Sequence, residues 1–299
     1  MIRIIRSRET LFPAAVLSLC ALAGHAAPLP DGAGHRAIDI DGVLIEVHTY
    51  KPANYAGGPL LLSFHGLGRN ANGYRDYAVP LADRLGMLVV APLFDRARFP
   101  TWRYQAGGLV RPQHQGASHM TVEPAEGWTG QLFLKIVNAI RAAEGRADLP
   151  YYLIGHSAGG QALSRFAAFT PNSARRIVIA NPSTHVWPTR DEPFPYGFGG
   201  LPGALSDDAA IRRYLAQPVT LLLGTADVKQ DPDLNVKDGA MRQGPNRHER
   251  GLNAFRAAQA AAQANGWPFN WRLVEVPGVA HSARRMFASP QASAALAPD

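Results

Sequence analysis

Between Leu60 and Val276, short apolar runs alternate with stretches of helical periodicity, and this alternation restricts the chain to a mainly parallel sheet crossed over by helices. The runs cover 60–64, 87–91, 151–154, 176–180, 219–223 and 270–276. Segments 77–85, 128–143, 158–169, 207–216 and 251–265 carry apolar residues at helical spacing. Ahead of them, residues 37–50 alternate apolar and polar side chains around Asp41-Gly42, the pattern of a β-hairpin with a tight turn. The expected fold class is α/β, a mostly parallel central sheet flanked by helices on both faces. At 299 residues without an internal repeat, the chain suits one large domain.

Segments 94–121, 181–206 and 227–250 interrupt the alternation and are rich in Gly, Pro, aromatic or Arg residues. Each follows a strand, so each is expected as a long loop at the carboxyl edge of the sheet, where open α/β folds bind ligands. Trp102, Tyr104, Trp187, Phe194, Tyr196 and Phe198 lie in the first two. Trp102 and Trp187 are the candidates for substrate binding, with packing of the loops onto the body as the alternative. Arg98, Arg103 and Arg111 could hold a carboxylate-bearing substrate, although arginine outnumbers lysine throughout the chain.

The N-terminus has the pattern of an export signal. Arg3, Arg6 and Arg8 form a basic stretch, 11–23 is a short apolar run, and Ala21, Ala23, Gly24, Ala26 and Ala27 supply small residues for cleavage after Ala26 or Ala27. The reading is a signal peptide over 1–27 and a single domain over 28–299, periplasmic or secreted. The apolar run is shorter than the roughly 20 residues a spanning helix requires, so stable membrane insertion is not expected. Cys20 is the only cysteine and follows Leu19 rather than a small residue, unlike a lipoprotein signal. The exported chain therefore lacks disulfides, a thiol nucleophile and thiolate metal sites. The net charge of +7 falls to +5 without the first 27 residues, and its basic groups are scattered, which argues against a nucleic-acid partner.

The chemistry centres on Gly155-His156-Ser157-Ala158-Gly159, which joins a strand to a helix. A serine is a weak nucleophile until a sharp turn holds it out beside a base, and glycines two residues to either side let strand and helix close around it. The base should be a histidine late in the chain, and His281 lies just past the last strand; His185 and His248 follow no such strand end. Asp227 is the first acid after the strand at 219–223 and completes the order Ser157, Asp227, His281, with Asp231 and Asp233 as substitutes. Backbone donors for a developing oxyanion would come from Ala158, just after the serine, and from Leu67 in His65-Gly66-Leu67-Gly68. Residues 231–235 alternate oxygen-bearing side chains like the start of a calcium loop but lack its turn glycine and closing glutamate, so no metal is expected.

From Leu60 to His281 the sequence resembles the α/β-hydrolase superfamily. Its leader, its His-Gly-Leu-Gly loop and its Gly-His-Ser-Ala-Gly elbow are similar to secreted bacterial esterases of the polyhydroxybutyrate-depolymerase and feruloyl-esterase-like groups. The resemblance implies the α/β-hydrolase fold and hydrolysis of a small-molecule or polymeric ester through an acyl-enzyme, without metal or organic cofactor. The same triad would serve an amide or peptide hydrolase or an acyltransferase, and a non-catalytic binding protein could keep the same scaffold. Oligomeric state is not readable from the sequence.

Overall fold

The computed structural model describes residues 27–112 and 120–297. The export-signal expectation and Cys20 therefore fall outside the described residues, apart from Ala27. Ten strands and eight α-helices are formed among those described. They are β1 (Gly32–Ile40), β2 (Val43–Lys51), β3 (Leu60–Phe64), α1 (Ala71–Leu85), β4 (Leu88–Pro92), β5 (Val110–Arg111), β6 (Thr121–Val122), α2 (Thr129–Ala143), β7 (Tyr151–His156) and α3 (Ala158–Phe169). The chain continues through β8 (Ile177–Ala180), α4 (Asp208–Leu215), β9 (Val219–Gly224), α5 (Asp238–Met241), α6 (Arg247–Asn265), β10 (Arg272–Val276), α7 (Ala283–Ala288) and α8 (Pro290–Leu296).

Eight strands form one sheet in the order β1-β2-β4-β3-β7-β8-β9-β10. The six from β4 to β10 run parallel, and β2 joins antiparallel with β1 folded back on it. Asp41 and Gly42 take φ of 53° and 81°, the left-handed pair that a two-residue turn matching the strand twist requires. The interior strands β3, β4, β7, β8 and β9 are buried along their whole length because both faces are covered, which explains their unbroken apolar runs. On one face Leu60, Leu62 and Phe64 pack with Phe133 and Ile136 of α2, Leu163 and Phe166 of α3, Tyr214 of α4 and Ala258 of α6. On the other, Leu61, Val89 and Ile154 meet Leu81 of α1, Met286 and Phe287 of α7, and Leu296 of α8.

The chain leaves β3 for β4 on one side and returns through α2 to β7 on the other. The direction of winding thus reverses between β3 and β7, at the carboxyl ends where a crevice opens in such sheets. Two glycines set how tightly that junction closes. A Cβ on Gly155 would lie 2.6 Å from the carbonyl carbon and oxygen of Gly159. One on Gly159 would run into the carbonyl oxygen of Phe64, with that of His65 at 2.9 Å.

Buried and half-buried arginines anchor the long loops. Arg69 donates to the Phe94 and Phe99 carbonyls at 2.8 and 2.9 Å, and Arg165 to the Thr184 and Pro195 carbonyls at 3.0 and 2.6 Å. Arg250 donates to Ser183 and Gly244 carbonyls, both at 2.7 Å. A guanidinium fork can satisfy two carbonyls at once, which an ammonium does less well. Burial lowers Arg165 and Arg250 only to about 10, so both keep their charge at neutral pH.

Two predictions follow from this packing. Gly159→Ala forces β3 and α3 apart and should cost about 3 kcal/mol or more, read as a fall in the urea midpoint. His65 and His185 are buried, and loss of water pushes them from 6.5 down to about 4 and about 3. They stay neutral in the fold while the unfolded chain takes up protons below 6.5, so their contribution is complete above pH 6.5 and falls away towards pH 3. Stability should decline by about 1.4 kcal/mol per pH unit for each histidine, from pH 6.5 down to about 4 for His65 and about 3 for His185. Urea titrations between pH 7 and 4 should show a flatter decline in His65→Gln/His185→Gln.

Candidate active site

Ser157 sits between β7 and α3 with φ 57° and ψ −117°, a conformation a non-glycine residue holds only when its surroundings impose it, at about 1–3 kcal/mol. The imposition is visible: its N–H donates to the Ala180 carbonyl at 3.0 Å, and its carbonyl accepts from Gln161 at 3.0 Å. Its side chain opens into a cavity of about 300 Å³ lined by Leu67, Asn70, Tyr74, His156, Asp233 and His281, among others.

His281 occupies the turn between β10 and α7. Its Nδ1 lies 2.7 Å from Asp227 Oδ2, and Asp227, just past β9, is buried with its own N–H bonded to the Gly224 carbonyl. The structure thus brings Asp227 and His281 together and places Ser157 and His281 on one cavity. No hydrogen bond joins Ser157 to His281 among the described residues, and hydrogen bonds of this kind often tighten only when substrate is present. Behind His281 lies the ring of His156, its centroid 4.5 Å away. Burial holds His156 well below its ordinary range, so it adds no charge beside His281.

Asp231 has a different position from Asp227. It takes both ends of the fully buried Arg247 guanidinium, at 2.6 and 2.8 Å, and that pairing holds its carboxyl down at about 2. Arg247 Nη1 also stands 3.6 Å from Asp227 Oδ1. Asp227 therefore has an imidazole on one oxygen and a cation near the other. His248 meets Glu275 at 2.7 Å, and His185 is buried, so neither of these reaches the cavity.

The loop after β3 is set by His65. Its Nε2 accepts from the Phe94 N–H at 3.0 Å, which leaves the proton on Nδ1, and Nδ1–H donates to the Gly66 carbonyl at 3.0 Å. Arg69 N–H donates to the same carbonyl at 3.2 Å. In a trans peptide the C=O of Gly66 and the N–H of Leu67 point opposite ways, so pinning the carbonyl fixes the amide. Neither Leu67 N–H nor Ala158 N–H donates to any group among the described residues. A nucleophile-bearing turn, an acid-backed imidazole and free amides are together a set that can attack a carbonyl and hold the resulting oxyanion.

The expected aromatic pocket is not formed at this cavity. Trp102 lies beneath the guanidiniums of Arg103 and Arg111, 5.9 and 5.5 Å from the ring, and Trp187 packs against the main core. Arg98 pairs with Asp95 and Arg111 with Glu123, so those charges are already matched. The cavity walls come instead from Asn70 and, in α1, Tyr74 and Tyr77, and from Ser282 to Arg284 at the start of α7. Arg284 is only three residues past His281, a proximity that could have marked it in the sequence.

No protein-family model matches the chain, and no curated protein sequence matches it. Solved structures do. Poly(aspartic acid) hydrolase-1 from Sphingomonas sp. KT-1 is 32% identical over 88% of this chain and 98% of its own, with a TM-score of 0.80. The poly(3-hydroxybutyrate) depolymerase LpqC from Bordetella parapertussis is 31% identical over 90% of this chain and 96% of its own, with a TM-score of 0.78. A Pyrobaculum calidifontis esterase, 16% identical over 89% of this chain and 85% of its own, shares the fold at a TM-score of 0.52. The chain belongs to the α/β-hydrolase superfamily, within the group that includes the Sphingomonas hydrolase and the Bordetella depolymerase.

Proposed function

We propose that the chain is an exported serine hydrolase of carboxylic esters, its residues 28–299 a single catalytic domain behind a signal peptide at 1–27. The observation that carries the reading is the 2.7 Å His281–Asp227 contact beside a cavity that also holds the strained Ser157. Ser157 Oγ attacks the ester carbonyl while His281 Nε2 takes its proton. Asp227 holds the imidazole in the matching tautomer and stabilises the imidazolium. The oxyanion is received by Leu67 and Ala158 N–H, and His281 returns the proton to the departing alcohol. Water, activated by the same imidazole, then cleaves the acyl-enzyme. No helix among the described residues is long and apolar enough to cross a membrane.

A second reading, hydrolysis of an amide, is favoured by one comparison, the 32% identity to a poly(aspartic acid) hydrolase. Arg284 at the cavity wall gives a carboxylate-bearing acyl group a cation to face. Parallel rates on aspartyl esters and aspartyl amides separate the readings, since amide turnover equal to ester turnover selects the second.

A fluorophosphonate should form one adduct, on Ser157, and Ser157→Ala should abolish both the adduct and turnover without changing the circular dichroism spectrum. Absence of an adduct on folded protein would sink the reading. Asp227→Asn should lower kcat by about 10⁴, because the imidazole loses its orienting charge. Asp231→Asn should lower it far less, with KM unchanged, since Asp231 is bonded to Arg247 rather than to the imidazole.

A further inference from the structure

Away from the cavity, the hairpin of β1 and β2 sets His35, Glu46 and His48 on one face. The antiparallel register places His35 directly opposite His48. Glu46 lies two residues before His48 on the same strand, and so on the same side. This is the face covered further along by α1. Ile45, Val47 and Thr49 turn to the opposite side and are buried, while His35 and Glu46 are half exposed, at 52% and 50%. The two imidazole centroids are 4.8 Å apart, and His35 Nε2 is 3.7 Å from Glu46 Oε2. One ligand atom from each of the three lies within 4.8 Å of the others. Among the described residues none of these side chains makes a hydrogen bond, so their lone pairs are uncommitted.

We propose that His35, Glu46 and His48 form a surface site for a divalent transition-metal ion of the zinc class. Ligand atoms about 2.1 Å from a tetrahedral ion stand about 3.4 Å apart, close to the 3.7 Å seen between His35 and Glu46. The remaining separation closes by rotation of exposed side chains on a fixed backbone. Two imidazoles and one carboxylate select zinc, copper or nickel over calcium or magnesium, which take oxygen ligands. The fourth position stays open to water. An ion here would tie the edge strand β1 to β2, and the site is independent of Ser157, His281 and Asp227.

The test is calorimetric titration of the purified chain with zinc chloride, and then with calcium chloride, in a buffer that does not bind metals. One zinc ion should bind and calcium should not. His35→Ala/His48→Ala and Glu46→Gln should each weaken zinc about tenfold or more, with ester hydrolysis unchanged. Zinc should raise the melting temperature of the wild type but not of the double variant. Equal zinc affinity in the wild type and either variant, or zinc binding lost only in His281→Ala, would overturn the proposal.

Discussion

Gly159, in the first turn of α3, lies against the Phe64 carbonyl at the end of β3, and Gly155 lies against Gly159 in turn. These contacts leave no room for a Cβ at either position, and they bring the ends of β3, β7 and α3 to one point. Ser157 is squeezed between them into its positive φ, so the strain at the serine is a consequence of backbone packing. The same closeness sets the N-terminus of α3 near the loop carrying Leu67. Unpaired amides at a helix start favour negative charge, so the junction that strains the serine also leaves an anion-favouring spot beside it.

Everything else at the site is positioned from outside that junction by buried polar groups rather than by apolar packing alone. His65, kept neutral by burial, fixes the Gly66 peptide by donating to it while accepting from Phe94. Arg69 adds two carbonyls of the following loop, Arg165 does the same for the segment after β8, and Arg250 joins that segment, at Ser183, to Gly244 beyond β9. Loops expose carbonyls that no strand satisfies, and a guanidinium is the side chain that can reach two of them while remaining charged. The surplus of arginine over lysine, which reads as composition in the sequence, has this structural use at several positions.

The sheet was legible because its interior strands are covered on both faces and so read as continuous apolar runs; β3 and α3 have the expected bounds of 60–64 and 158–169. The helices α7 and α8 were not legible. At six and seven residues, they are too short to display a period, and they form because the sheet face beside β10 must be covered. α1 begins at Ala71, six residues before its periodic part, through Asn, Gly and Asp residues that are weak helix formers, with Tyr74 held in the core. Trp102 and Trp187 show a related limit: sequence places an aromatic residue in a loop but does not give the direction of its ring. The order of Ser157, Asp227 and His281 could be read because each follows the end of a strand, where the fold itself fixes direction.

In the sequence Asp227 is favoured over Asp231 only as the first acid after the strand, since both follow β9 and both are carboxylates. The structure separates them by what each faces. A fully buried guanidinium is costly unless it is paired, and Arg247 is paired by the two oxygens of Asp231, leaving Asp227 at a longer 3.6 Å. Were Asp231 absent, the nearest anion to that cation would be Asp227, and closer pairing there would compete with His281 for the carboxylate. Asp231 therefore satisfies the arginine so that Asp227 need not. One oxygen of Asp227 stays committed to the imidazole of His281, 2.7 Å away, while the other faces Arg247 at 3.6 Å.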